Sequence, residues 1–205
     1  MNLTDTNNIT GLILAGGRAQ RMGGIDKGLI PFRGKPLIYH AIERLRPQVG
    51  SIQINANRNH DQYGIYGYPV LADAKENFAG PLAGFLAGLT ACNTSMLLTA
   101  PCDSPLLPVD LAEKLFENMK KNQADLVYAS SQDQDQKLWA QPVFCLMKKS
   151  VLPSLEKFMS DGGRKIDQWF DFLSANTVIF DNEKVFTNVN TPEELATLEK
   201  EFQTK

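Results

Sequence analysis

Leu12-Ile13-Leu14-Ala15-Gly16-Gly17-Arg18-Ala19-Gln20-Arg21-Met22-Gly23-Gly24-Ile25-Asp26-Lys27 is the stretch on which the reading of this chain turns. The apolar run from Ile9 to Leu14 predicts a strand, which the paired glycines Gly16 and Gly17 stop. Glycines let backbone N–H groups approach a ligand closely, and Arg18, Arg21 and Lys27 add cations, so the loop is expected to cradle phosphates. Its place after a first strand is where ligands bind in open α/β sheets. Two commoner nucleotide motifs do not fit. A Walker A loop needs Gly-Lys followed by Ser or Thr, whereas Lys27 stands between Asp26 and Gly28. Gly16, Gly17, Gly23 and Gly24 also lack the G-x-G-x-x-G spacing of a dinucleotide fold. P-loop and NAD-dependent chemistries are therefore disfavoured.

Outward from this loop, apolar β-rich runs alternate with helical patterns along nearly the whole chain, which predicts an α/β fold with helices covering a parallel sheet. Pro36 to Leu45 has helical spacing, Val49 to Ala56 and Tyr68 to Leu71 read as strands, and Pro81 to Cys92 is a helix apolar nearly all round, hence buried. Met96 to Ala100 is a continuous apolar strand ended by Pro101, which leaves Asp103 just beyond it. An amphipathic helix from Pro108 to Asn122 and a strand from Leu126 to Ala129 follow. The last third predicts a strand from Pro142 to Leu146, helices from Lys149 to Ser160 and Lys165 to Leu173, and short strands from Thr177 to Phe180 and Val185 to Asn188. A final helix opens on a Thr191/Glu194 capping box with Pro192 at its first position. With no repeat or linker in view, the expected organisation is a flexible arm over residues 1–10 and one domain over residues 11–205.

The chain has 205 residues, 43% of them hydrophobic. A domain of this size buries roughly 70% of its unfolded surface and needs no disulfide or structural metal. With a net charge of −2 there is no broad basic field, and nucleic acid is not an expected partner. Cys92, Cys102 and Cys145 form no C-x-x-C pair and read as free thiols of a reducing cytosol. The polar start carries no secretion pattern, and no apolar run nears the ~20 residues of a membrane span, so a cytoplasmic protein is expected. His40 and His60 lack metal-ligand spacing and receive no catalytic role, while Gln132 to Lys137 reads as a solvated loop.

The motif L-A-G-G-x-x-x-R-M-G is present as Leu14 to Gly23, and Gly24-Ile25-Asp26 separates it from Lys27. Further on stand Ile54-Asn55-Ala56-Asn57-Arg58, Gly80-Pro81-Leu82-Ala83-Gly84, Pro101-Cys102-Asp103 and Asn188-Val189-Asn190-Thr191-Pro192-Glu193-Glu194-Leu195. Together these resemble the molybdenum cofactor guanylyltransferase family over essentially residues 11–198. The resemblance implies a Rossmann-like, three-layer nucleotidyltransferase fold with a mostly parallel central sheet, binding GTP in its N-terminal half and molybdopterin in its C-terminal half. It implies transfer of GMP from GTP to the phosphate of Mo-molybdopterin with Mg²⁺, or Mn²⁺, and release of pyrophosphate. Molybdopterin-loading proteins and molybdoenzyme apoproteins are the implied protein partners.

By the same resemblance, Leu14, Ala15, Gly16 and Gly17 meet the nucleotide, and Lys27, Arg18 and Arg21 the triphosphate. Asp103 alone would read as a turn residue; the resemblance makes it the metal ligand and, with Lys27 and Arg21, part of the catalytic set. Asn55 and Asp73 are GTP-binding, Asp73 accepting hydrogen bonds from guanine or ribose, and Gly80 and Pro81 open a helix whose N-terminus shapes the base pocket. Asn188 and Asn190 fall on the molybdopterin side, with Arg164 and Lys165 available for its terminal phosphate. The first loop would equally serve a molybdopterin cytidylyltransferase or a sugar-phosphate nucleotidyltransferase, and a non-catalytic nucleotide-binding regulator is a further alternative.

Overall fold

A computed structural model of the chain describes residues 1–16, 26–73, 80–133 and 135–203. The first half runs α1 (Leu3–Asn7), β1 (Ile9–Leu14), a small hairpin of β2 (Pro31–Phe32) and β3 (Lys35–Pro36), α2 (Leu37–Leu45), β4 (Ser51–Asn55), α3 (His60–Gly64), β5 (Val70–Leu71), α4 (Pro81–Ala91) and β6 (Met96–Pro101). The second runs α5 (Leu111–Asn122), β7 (Leu126–Gln132), β8 (Leu138–Lys148), α6 (Leu152–Ser160), α7 (Ile166–Phe170), β9 (Ala175–Phe180) and α8 (Pro192–Gln203). Seven strands form one sheet in the order β5-β4-β1-β6-β8-β7-β9. All run parallel except β8, which is antiparallel to both neighbours.

Each central strand buries both faces, as its unbroken apolar sequence requires. Ile9 and Ile13 of β1 and Leu98 and Ala100 of β6 point to a layer made by α2 and α5, whereas Leu12 and Leu97 point to α4, α6 and α7. That gives three layers, with α4 buried between β1 and the α6 and α7 side because it is apolar on most of its circumference. Gly84 and Gly88 permit its close approach: a Cβ on either would stand 2.5 Å from Leu14 Cδ2 or Leu12 Cδ2. A smaller cluster of Ile30, Phe32, Leu37, Val189 and Leu198 fastens α8 to the β2–β3 hairpin.

Several expected boundaries move. The arm expected over residues 1–10 is not separate, since its last two residues already belong to β1. Before them, α1 is closed by a capping box between Asn2 and Asp5, and the Met1 ammonium lies 2.9 Å from Glu113. The strand expected from Val185 to Asn188 is instead a 3₁₀ turn, Glu183–Phe186, because the Asn182 side chain accepts the Lys184 N–H at 3.1 Å and starts a turn there. β8 begins at Leu138 rather than Pro142, its first residues pairing with β7 alone.

Candidate active site

Register aligns the carboxyl ends of three strands: Leu14 pairs with Asn55 on one side and Pro101 on the other. Main-chain bonds carry the alignment past the strands, from Ala15 N–H to Asn55 O (2.8 Å) and from Cys102 N–H to Leu14 O (3.0 Å). Ala15 and Gly16 after β1, Ala56 after β4 and Cys102 after β6 therefore emerge on one edge.

Two polar clusters meet there. In the first, the Lys27 ammonium donates to Asp103 Oδ2 at 3.1 Å and to Asn190 Oδ1. Asp103 is 8% exposed, so the pair is shielded and its charges are felt strongly by a ligand beside it. The 188–190 segment reaches this position by main chain: Val189 N–H donates to Asp103 O at 2.9 Å, and Val189 itself is buried against the β2–β3 core. With Val189 turned inward, Asn188 and Asn190 turn outward together, Asn188 Oδ1 accepting from the Ser104 hydroxyl. The α8 cap fixes Asn190 in turn, for Glu194 Oε2 accepts the N–H groups of Asn190 (2.6 Å) and Thr191 (3.1 Å), and Glu194 N–H donates to Thr191 Oγ1 (3.2 Å). Asn190 thus stands with Lys27, and Asn188 with Ser104, the residue after Asp103.

The second cluster surrounds Asp73. Its carboxylate accepts from Asn55 Nδ2 at 2.9 Å and Asn57 Nδ2 at 2.7 Å, and its N–H donates to Asn57 Oδ1 at 2.8 Å. Gly16 lies against these amides: a Cβ there would be 3.1 Å from Asn57 Nδ2 and 3.3 Å from Asn55 Oδ1. Gly84 of α4 is closer still, a Cβ standing 2.6 Å from Asn55 Oδ1. Gly80, at φ +123°, occupies a backbone state open mainly to glycine and hands the chain to Pro81 at the first position of α4. Leu14, Ala15, Gly16, Asn55 and Asp73 are thus gathered at one place.

Residues 11–176 match the MobA-like NTP transferase domain. The chain belongs to this family. Within it, the molybdenum cofactor guanylyltransferase of Polynucleobacter asymbioticus is 63% identical over 94% of this chain and 96% of its own. That of Cupriavidus necator is 51% identical over 94% of this chain and 97% of its own. The crystal structure of molybdopterin-guanine dinucleotide biosynthesis protein A from Archaeoglobus fulgidus superposes with a TM-score of 0.76 at 22% identity, covering 96% of this chain and all of the other. That likeness is one of fold.

In this NTP transferase the remaining predicted residues are distributed unevenly. Gly17, Arg18 and Arg21 lie outside the described residues. Arg164 and Lys165 sit in the turn between α6 and α7, where Arg164 Nη1 donates to the carbonyls of Met159 (2.9 Å) and Gly163 (2.6 Å). His40 and His60 each donate to a main-chain carbonyl, of Phe32 and Ala56. All three cysteines are free and buried, and burial together with the neighbouring Asp103 carboxylate pushes the Cys102 thiol well above its ordinary range. Sequence reasoning did not single out Asn57, Ser104, Asp26 or Arg58, although the motif containing Asn57 and Arg58 was in view. An open cavity of about 450 Å³, lined by Ser131, Trp139, Gln141, Glu183, Phe186 and Thr187 among others, adjoins the 188–190 segment. Among the described residues no helix is long and apolar enough to cross a membrane.

Proposed function

We propose that this protein is a molybdenum cofactor guanylyltransferase, which transfers GMP from GTP to the phosphate of Mo-molybdopterin and releases pyrophosphate. The observation that carries the reading is the meeting of Lys27, Asp103 and Asn190 at the sheet edge beside Asp73, in a chain 63% identical to a protein of that name. Phosphoryl chemistry asks for placement and charge neutralisation more than for a covalent partner. Lys27 binds the triphosphate oxygens, and Asp73 with Asn55 and Asn57 receives the nucleoside. An oxygen of the acceptor phosphate forms the new bond to the α-phosphorus as the bond to the bridging oxygen of pyrophosphate breaks. A phosphate monoester is already ionised at neutral pH, so no strong general base is required, which suits two histidines engaged elsewhere.

The donor set suits Mg²⁺, and Mn²⁺ by the same oxygen preference. Among the described residues no three carboxylate, histidine or cysteine side chains gather into a cage, but Mg²⁺ needs only one or two carboxylates beside substrate phosphates. Asp103, with Oδ2 on Lys27, is the carboxylate to hold it, and when bound the ion supplies charge neutralisation on the phosphates. Asn188 and Asn190 face the acceptor, and we place the pterin in the cavity beside Trp139 and Phe186, with Arg164 and Lys165 near its phosphate end. The cytoplasm, with transient contact to molybdopterin-loading proteins and molybdoenzyme apoproteins, is the setting this product requires, and crosslinked complexes isolated from cells would test it.

Calorimetric titration with GTP, CTP, ATP and UTP, each with Mg²⁺, followed by a pyrophosphate-release assay with molybdopterin, tests the whole reading. GTP alone is expected to bind and turn over; preference for CTP would make the protein a cytidylyltransferase, and turnover of none would end the enzymatic reading.

A further inference from the structure

The segment leaving β4 takes hold of both clusters. Asn55 and Asn57 bind Asp73, and the next two residues reach the other way: Arg58 Nη2 and Asn59 Nδ2 (2.6 Å) donate to the carboxylate of Asp26. Asp26 directly precedes Lys27 and is 3% exposed. Its carbonyl accepts Leu29 N–H at 2.9 Å and that of Lys27 accepts Ile30 N–H at 3.1 Å, so residues 26–30 form one tight turn. Tyr63 of α3 closes the turn from the same direction, packing so near Gly28 that a Cβ there would stand 2.9 Å from its hydroxyl. The backbone of Lys27 is held by the connection from β4 to α3, and its ammonium reaches across to Asp103.

A buried carboxylate is costly unless it is paired and hydrogen-bonded, and an aspartate kept only to open a turn would accept N–H groups of that turn. Asp26 makes no such capping bond. It is directed instead at Arg58 and at Asn59, whose backbone is left-handed at φ +52°, a state asparagine tolerates better than most residues.

We propose that Asp26, Arg58 and Asn59 are positioning residues for the phosphate-binding lysine. By tying the turn of Lys27 to the segment that also carries Asn55 and Asn57, they fix the separation between the lysine ammonium and the nucleoside cluster, and so the placement of the α-phosphate at Asp103. The kinetic part of this inference rests on the guanylyl-transfer reading. In this role Arg58 acts through Asp26 and the turn of Lys27 rather than on a reacting atom.

Arg58→Ala, Arg58→Lys and Asp26→Asn in the full chain test it, with molybdopterin saturating and GTP varied. Arg58→Ala is expected to lower kcat by ~10–100-fold, the scale of a misplaced reacting group, while KM for GTP moves by less than ~3-fold. The Arg58 side chain is half-exposed, so its removal leaves a gap open to solvent. Millimolar guanidinium is expected to restore part of kcat, and Arg58→Lys to retain more of it than Arg58→Ala. Acetylation of Lys27 by acetic anhydride, followed by peptide mass spectrometry, needs no substrate and should be several-fold faster in Arg58→Ala and Asp26→Asn than in the parent. Unchanged kcat and unchanged Lys27 labelling, or a loss of activity that only follows loss of folded protein in thermal melts and ignores guanidinium, would overturn the inference. If the parent releases no pyrophosphate, the functional reading fails and the labelling comparison alone decides the positioning.

Discussion

The Asp73 cluster and the Asp103 cluster share one sheet edge, yet they are built differently. Asp73 is surrounded by the neutral amides of Asn55 and Asn57, whereas Asp103 is paired with the Lys27 ammonium and approached by the amide segment 188–190. Neutral amides around a carboxylate give directional hydrogen bonding, the means of telling one nucleoside from another; an ammonium–carboxylate pair gives field, the means of neutralising a triphosphate. The first cluster is assembled from residues within one βαβ stretch, and the second from strand ends and turns far apart in sequence. On the proposed function, discrimination and chemistry are therefore expected to be separable by substitution.

The sharpest break is expected at the charged cluster. Asp103→Ala should reduce pyrophosphate release by ~10³-fold or more, and Lys27→Ala by ~10²–10³-fold, with circular dichroism unchanged. Undiminished turnover in Asp103→Ala would remove it from the chemistry. At the neutral cluster, Asp73→Asn should raise KM for GTP by ~10–100-fold with little change in kcat, as expected when hydrogen bonds to a charged group are lost. If 2′-deoxyGTP shows the same penalty in the parent and none in the variant, Asp73 reads the ribose; if not, it reads the base. Trp139→Ala should raise KM for molybdopterin by roughly tenfold and leave that for GTP alone, and equal effects on both substrates would take the pterin out of the Trp139 cavity.

The smallest effect lies in the buried core. Burial pushes the Cys145 thiol up to about 12 from an ordinary value of 9.0, and raises the Cys102 thiol and the Tyr63 hydroxyl in the same direction. Below the unfolded thiol value both states keep the proton and stability is level. Above it the unfolded chain sheds protons that the folded chain retains, so stability should fall between about 9 and about 12. Denaturant midpoints measured from neutral pH upward should decline most steeply across that window.

The strands that set this geometry were legible because burial on both faces leaves continuous apolar runs: β1 was read to the residue, and β6 to within one. The capping box of α8 was legible for an equally local reason. What escaped was pairing across the chain. Nothing in the spacing of Asp26 and Arg58 announces that they meet, because that depends on α3, a five-residue polar helix without an apolar period to reveal it. The start of β8 was missed because Leu138 and Trp139 lie exposed beyond the end of β6, where no second neighbour imposes an apolar face. The segment expected as a strand from Val185 resembled one in composition, and the turn was decided by one amide acceptor, the Asn182 side-chain oxygen.

The bond between Lys27 and Asn190 joins residues 163 positions apart. On a ribosome adding ~5–20 residues per second, the lysine is made roughly eight to thirty seconds before its partner. Lys27 of a nascent chain is thus present before Asn190 can accept from it, and on the proposed function the reacting centre is completed only as the segment before α8 docks on the β2–β3 hairpin. A polypeptide interrupted before Asn190 keeps Lys27 and Asp103 but lacks the amide that also accepts from the lysine.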